Sequence, residues 1–116
     1  AAVDSTGLCV FTTFAWTLED IAPQVNAACE GEWTAENMLE VGERVWNMER
    51  DFNMAAGLTG KDDTLPKRLT KDIAASSGPA EGQVNNLSEM LPKYYEVRGW
   101  SEDGVPTDDT RARLGL

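Results

Sequence analysis

The chain has 116 residues, the length of one domain, with 41% hydrophobic side chains and 20 acidic against 10 basic groups, for a formal charge of −10. That balance speaks against nucleic acid and anionic membrane surfaces as partners, because both call for clustered Lys and Arg. No apolar run approaches the roughly 20 residues of a membrane span, and histidine is absent, which removes the usual general base, the Ser-His and Cys-His pairs and most zinc sites.

Residues 1–16 read as a turn followed by an apolar stretch of Leu8, Val10, Phe11, Phe14, Ala15 and Trp16. Thr17 is a good N-cap for a following helix, with Glu19 and Asp20 placed to favour its dipole and Pro23 limiting its regularity. Thr34 then caps the clearest element, a helix over 35–56, in which Met38, Val41, Val45, Met48 and Phe52 recur at three- and four-residue steps. Leu39 and Trp46 widen that stripe and Gly57 offers a stop. From Leu58 to about Asn85 the period dissolves among glycines and prolines, apart from a short apolar run near Leu65–Ile73. An irregular stretch of that length is expected to be functional or to wrap over a neighbour. Asn86 and Glu89 resemble a capping box for a helix reaching Gly99, in which Pro92 is awkward. Gly104-Val105-Pro106 reads as a turn, and Thr107 begins a last short helix ending at Gly115. No strand-like alternation appears, so the expected fold is all-α, a single irregular helical domain over 1–116 with one long central amphipathic helix and an irregular wrapping loop over 58–86. The aromatic side chains at helical spacing read mostly as core.

The residues with the most chemistry lie at the opening, in Asp4-Ser5-Thr6-Gly7-Leu8-Cys9. Gly7 permits positive φ or a close backbone approach. Asp4 can accept hydrogen bonds from the amine-type donors of a heterocycle, and Cys9, as thiolate, suits an iron–sulfur cluster or zinc. On residue types alone the plainer reading is a capping Asp, a turn Gly and a buried structural Cys. One thiolate cannot hold a four-iron cluster, which takes about four. Cys29, with small neighbours and no nearby ligand, reads as a core or surface thiol. A disulfide between the two cysteines is conceivable, and free thiols are the default for a cytoplasmic protein of this kind. Asp62 and Asp63, with Glu19, Asp20, Glu30 and Glu32, read as a solvated face, and Lys61, Lys67, Arg68 and Lys71 as cations paired with carboxylates of the same domain. Such a turn at the start of the chain suggests a piece of something larger.

In family order over nearly the whole chain, the sequence resembles the C-terminal end of the tungsten-containing aldehyde:ferredoxin oxidoreductases. The resemblance is carried by Asp4-x-x-Gly7-Leu8-Cys9, by Gly42-Glu43-Arg44-Val45-Trp46-Asn47-Met48-Glu49-Arg50-Asp51-Phe52-Asn53, by Lys61-Asp62-Asp63-Thr64-Leu65-Pro66-Lys67-Arg68, by Ser88 to Leu91 with Tyr94 to Trp100, and by Leu114-Gly115-Leu116. It implies that Asp4 and Leu8 contact one of two pterins that hold tungsten (or molybdenum), and that Cys9 supplies one ligand of a 4Fe-4S cluster. It implies an enzyme oxidising aldehydes to carboxylic acids, with electrons passing to ferredoxin. Only half of a cofactor site can come from this chain, since the other cluster cysteines and the first pterin signature fall outside it. The isolated 116-residue piece is then expected to be inactive, to hold neither cofactor, and to expose an apolar face near Leu8 to Trp16 that could drive self-association. A free-standing acidic helical binding module, and a structural iron or zinc protein dimerised through Cys9, are the competing readings.

Overall fold

The computed structural model describes residues 1–72 and 77–116. It contains the helices α1 (Leu18–Ala28), α2 (Ala35–Ala55), α3 (Lys67–Thr70), α4 (Leu87–Arg98) and α5 (Asp108–Leu114), with 3-10 turns at Asp4–Thr6, Val10–Phe14 and Gly60–Asp62. Among the described residues there is no strand, only an isolated antiparallel bridge between Trp100 and Pro106. The fold is all-α. The described residues form two compact units, one of Ala1–Phe52 with Arg111–Leu116 and one of Asn53–Thr110.

In the first unit, local capping fixes where the helices begin. Asp20 reaches back to accept from the Thr17 backbone N–H at 2.8 Å and from its hydroxyl at 3.1 Å. Thr34 and Asn37 exchange reciprocal bonds at the start of α2, Thr34 N–H to Asn37 Oδ1 at 2.8 Å and Asn37 N–H to Thr34 Oγ1 at 3.3 Å. Between the two helices, Asn26 clamps the Trp33 backbone, donating to its carbonyl at 2.7 Å and accepting from its N–H at 2.8 Å. Pro23 stays inside α1 on an exposed side, so the helix runs through it to Ala28. The core of this unit is small: Ile21, Ala22 and Met38 are buried, with Val3, Leu8, Leu18, Val25 and Trp33 packed against them. A fully buried Ile or Met side chain contributes about 1.5–3 kcal/mol. At the other end of α2, Arg111 holds Asp51 through two bonds of 3.2 and 2.7 Å, Arg113 meets Glu43 at 2.9 Å, and Arg44 donates to the Leu114 carbonyl at 2.7 Å.

The second unit is organised around aromatic rings. Tyr95 and Trp100 are buried with centroids 5.9 Å apart, and Tyr94 meets Trp100 edge-on at 5.7 Å. The Tyr95 hydroxyl donates to the Asp63 carboxylate, which ties the loop after α2 to α4. Gly99 ends α4 in the left-handed region at φ 67, and its carbonyl collects the Thr107 N–H and the hydroxyls of Thr107 and Thr110. Thr107 in turn accepts from the Thr110 N–H at 3.2 Å and caps α5.

Several sequence expectations need correction. Asn86 occupies the N-cap of α4, but its side chain makes no capping bond, its ψ of 60 departing from the extended geometry that aims such a side chain at the first turn. Pro92 is accommodated within α4 on an exposed side. The stretch over 58–86 is not wholly irregular, since it holds a 3-10 turn and the one-turn helix α3; Ile73, the end of its apolar run, lies outside the described residues. The aromatic residues are mostly not core. Only Tyr95 and Trp100 of that set are buried, whereas Phe11, Phe14 and Phe52 are 70%, 86% and 73% exposed. The period of α2 is real, but Leu39, Met48 and Phe52 on its stripe face outward.

Candidate functional site

The opening turn is built by short-range bonds that its own residues supply. Asp4–Thr6 forms one turn of 3-10 helix, closed by Gly7 at φ 76, whose N–H donates to the Asp4 carbonyl at 3.0 Å. A side chain at that φ would be strained, which is why glycine stands there. Thr6 stitches both sides of the turn, donating to the Val3 carbonyl at 2.7 Å and accepting from the Leu8 N–H at 3.2 Å. The Cys9 carbonyl accepts from the N–H and hydroxyl of Thr12, at 3.0 and 2.8 Å. The backbone on each side of Cys9 is therefore fixed while its thiol is exposed.

The turn is seated against α2 through Gly42. A Cβ built at Gly42 would lie 2.9 Å from the Ala2 nitrogen and from its Cβ, so the two segments approach more closely there than any larger residue permits. This contact positions Asp4 at the edge of a groove of about 310 Å³ lined by Ala1, Asp4, Ser5, Val45, Trp46 and Glu49. Asp4 Oδ2 accepts from the Ala1 nitrogen at 3.1 Å, and its side chain is 67% exposed. Leu8 turns to a different, more apolar groove of similar volume, shared with Thr6, Val25, Cys29, Trp33 and Met38. Ser5 borders both grooves. The backbone thus brings Asp4, Leu8 and Cys9 together on one turn, and their side chains point to separate surroundings.

Both cysteines are free and exposed, so neither is the buried structural thiol that residue type favours. Cys29 is a surface thiol at the C-terminal end of α1. Among the described residues no three His, Cys, Asp or Glu side chains are gathered closely enough to hold a metal ion. The turn presents two donors, one exposed thiol on a pinned backbone and one exposed carboxylate. The acidic residues are more than a solvated face. Asp62 caps Thr59 with bonds of 2.8 and 3.0 Å, Asp63 takes the Tyr95 hydroxyl, and Glu19 and Glu36 are held below the usual carboxylate range by hydrogen bonds in the first turns of α1 and α2, from Thr17 to Glu19 and from its own backbone to Glu36. Lys61, Lys67, Arg68 and Lys71 are exposed and form no ion pair among the described residues, so the expected pairing with carboxylates of the same domain is not found there. That Val45, Trp46 and Glu49 line the same groove as Asp4 was not legible, since they lie more than forty positions away along the chain.

A sequence model of the family described as "Aldehyde ferredoxin oxidoreductase, domains 2 & 3" matches residues 1–116. The chain is similar to a tungsten-containing aldehyde ferredoxin oxidoreductase of Pyrococcus abyssi, 47% identical over 117 residues that cover 100% of this chain and 19% of the relative. A protein of the same description from Thermococcus kodakarensis is 45% identical over 117 residues, again 100% of this chain and 19% of the relative. A more distant relative, described as the WOR-like subunit of an aliphatic sulfonate oxidoreductase of Pyrococcus furiosus, is 30% identical over 125 residues, 100% of this chain and 20% of the relative. The chain thus spans about a fifth of the length of the curated relatives it matches.

Proposed function

The chain belongs to the aldehyde ferredoxin oxidoreductase family, and from that membership we propose that it is the C-terminal part of an enzyme oxidising aldehydes to carboxylic acids. In this reading Asp4 and Leu8 contact one of two pterins carrying tungsten or molybdenum, and Cys9 is one ligand of a 4Fe-4S cluster that leads electrons to ferredoxin in the cytoplasm. When bound, the metal–pterin group supplies the two-electron chemistry of carbonyl oxidation and the cluster a one-electron outlet.

The observation that carries the reading is the exposed Cys9 thiol on a backbone held from both sides by Thr6 and Thr12. A ligand so placed meets iron without reorganising its own loop, so little of the binding free energy goes into ordering it. Asp4 supports the same reading, because an exposed carboxylate at the rim of the turn accepts from the N–H groups of a heterocycle. The remaining ligands and the walls of the site come from the rest of the polypeptide. That polypeptide would also cover Val10, Phe11, Phe14 and Trp16, which are 52%, 70%, 86% and 42% exposed, with the two Phe rings stacked at 5.8 Å. Without that cover, an apolar face of this kind promotes self-association.

The test is made on the full-length protein purified without oxygen. Tungsten and iron are measured per chain, and viologen and ferredoxin reduction are followed with a panel of aldehydes. Aldehyde-dependent reduction with bound tungsten is expected. Tungsten with turnover of sulfonates but of no aldehyde would move the substrate class to that of the more distant relative, and absence of both metals would remove the proposal.

A further inference from the structure

The cations of this chain fall into two groups. Arg44, Arg111 and Arg113 meet Glu40, Asp51 and Glu43 at 3.0, 2.7 and 2.9 Å, and Arg98 lies over the Tyr94 ring at 5.1 Å. Lys67, Arg68 and Lys71 are exposed and have no ion pair among the described residues, although the chain carries 20 acidic against 10 basic groups. They share one helical turn. The Lys71 N–H donates to the Lys67 carbonyl at 2.8 Å, and positions three and four apart in such a turn are neighbours. The turn is tied down, its Leu69 carbonyl accepting from the Asn85 N–H at 2.8 Å. Leu69, which lies between these cations in the chain, is 44% exposed, and residues 64–71 include no carboxylate.

We propose that α3 is a docking surface for an acidic electron-acceptor protein, the ferredoxin of the proposed function. This rests on that function and names the part of the chain that the acceptor meets. An exposed leucine edged by cations has the anatomy of a transient protein interface, an apolar centre with a charged rim. Charge complementarity of this kind speeds encounter and fixes register more than it tightens binding. A chain of charge −10 repels an acidic protein as a whole. At physiological ionic strength that field is screened over about 8 Å, so a local cluster of unpaired cations decides where such a partner makes contact. A small carboxylate calls instead for a concave site that buries most of it, and three exposed side chains on one turn do not form one.

The experiment uses the full-length protein and a variant carrying Lys67→Gln, Arg68→Gln and Lys71→Gln together. Aldehyde-dependent reduction of an acidic 4Fe-4S ferredoxin and of a viologen dye is followed over a range of salt concentrations, with thermal midpoints and metal content recorded. The variant is expected to lose about tenfold in kcat/KM for ferredoxin at low salt, mostly through KM, with the difference shrinking as salt rises. Viologen reduction, metal content and midpoint should stay at the wild-type level, and Arg68→Lys, which keeps the charge, should keep the ferredoxin kinetics. Ferredoxin kinetics unchanged in the triple variant would overturn the inference. A parallel fall in viologen turnover and midpoint would overturn it too, assigning the cations to pairing with the rest of the polypeptide. A changed KM for aldehyde in the viologen assay would overturn it in favour of a small carboxylate. Wild-type protein that reduces neither acceptor with any aldehyde would instead remove the proposed function, and this inference with it.

Discussion

Replacing Gly42 by Ala tests how the turn is held without altering any residue proposed to bind a cofactor. On helix propensity alone, Ala in the interior of α2 should stabilise by about 1 kcal/mol. The structure argues for the opposite sign. The added methyl would sit 2.9 Å from the Ala2 nitrogen and Cβ and 3.1 Å from its Cα, whereas carbon atoms rest at about 3.5–4.0 Å. Two of these three neighbours are backbone atoms, so relief requires the opening segment to move by several tenths of an ångström or more. Overpacking of this kind costs about 1–3 kcal/mol, which exceeds the propensity gain. The Ser5 N–H to Ala1 carbonyl bond and the Thr6 bonds tie the turn together, so it would move as a piece and carry Asp4 and Cys9 with it. Misplacement of about 1 Å at a reacting site can cost about a hundredfold in rate. The assay is thermal unfolding of the full-length protein with iron and tungsten counted per chain, and a lower midpoint with reduced cofactor content is expected. A Gly42→Ala protein that is more stable and fully loaded would show that the segment does not rest on α2.

Two further outcomes follow from the remaining geometry. Gly99→Ala would force a side chain into φ 67 and place its Cβ 2.2 Å from the Thr110 hydroxyl, so a loss of at least about 1–3 kcal/mol is expected; protease sensitivity of the α4–α5 connection, read by mass spectrometry, checks it, and unchanged sensitivity would count against the described turn. Glu19 and Glu36 are held below their ordinary value of 4.5, Glu19 by the Thr17 hydrogen bond first and Glu36 by its own backbone first. Because the folded carboxyls bind protons less readily than the unfolded ones, their contribution is present above the ordinary value and is lost as pH falls through the folded one. Amide exchange in the first turns of α1 and α2 should therefore rise on acidification below pH 4.5 relative to Glu19→Gln and Glu36→Gln, and parallel behaviour of wild type and variants would refute the assignment.

What was legible in the sequence is what is decided within a few residues. Thr17, Thr34 and Thr107 mark the starts of α1, α2 and α5 because a capping bond spans at most a single turn. The opening turn was legible for the same reason, since Gly7 and Thr6 close it locally. The three-four spacing of Met38, Val41, Val45, Met48 and Phe52 identified a helix, but periodicity reports that a face is apolar and not what covers it. Met38 is buried while Phe52 is 73% exposed. The same limit explains Phe11 and Phe14. Contacts made far along the chain left no trace: Arg111 with Asp51 is separated by 60 positions and Arg44 with the Leu114 carbonyl by 70. The exposure of Cys9, which residue type argued against, is likewise a product of packing around the turn rather than of its composition.

The central claim is that Cys9, and not the other exposed thiol Cys29, belongs to a cluster site, with Asp4 serving the pterin beside it. Low-temperature electron paramagnetic resonance with metal counting on full-length Cys9→Ala, Cys29→Ala and Asp4→Asn proteins tests it most directly. The account predicts that Cys9→Ala loses or converts the iron signal with a smaller fall in tungsten. It predicts that Asp4→Asn keeps the iron signal and loosens tungsten and pterin, a charge-assisted acceptor being worth about 1.5–3 kcal/mol, and that Cys29→Ala changes neither. An iron signal that survives Cys9→Ala and disappears in Cys29→Ala would contradict it.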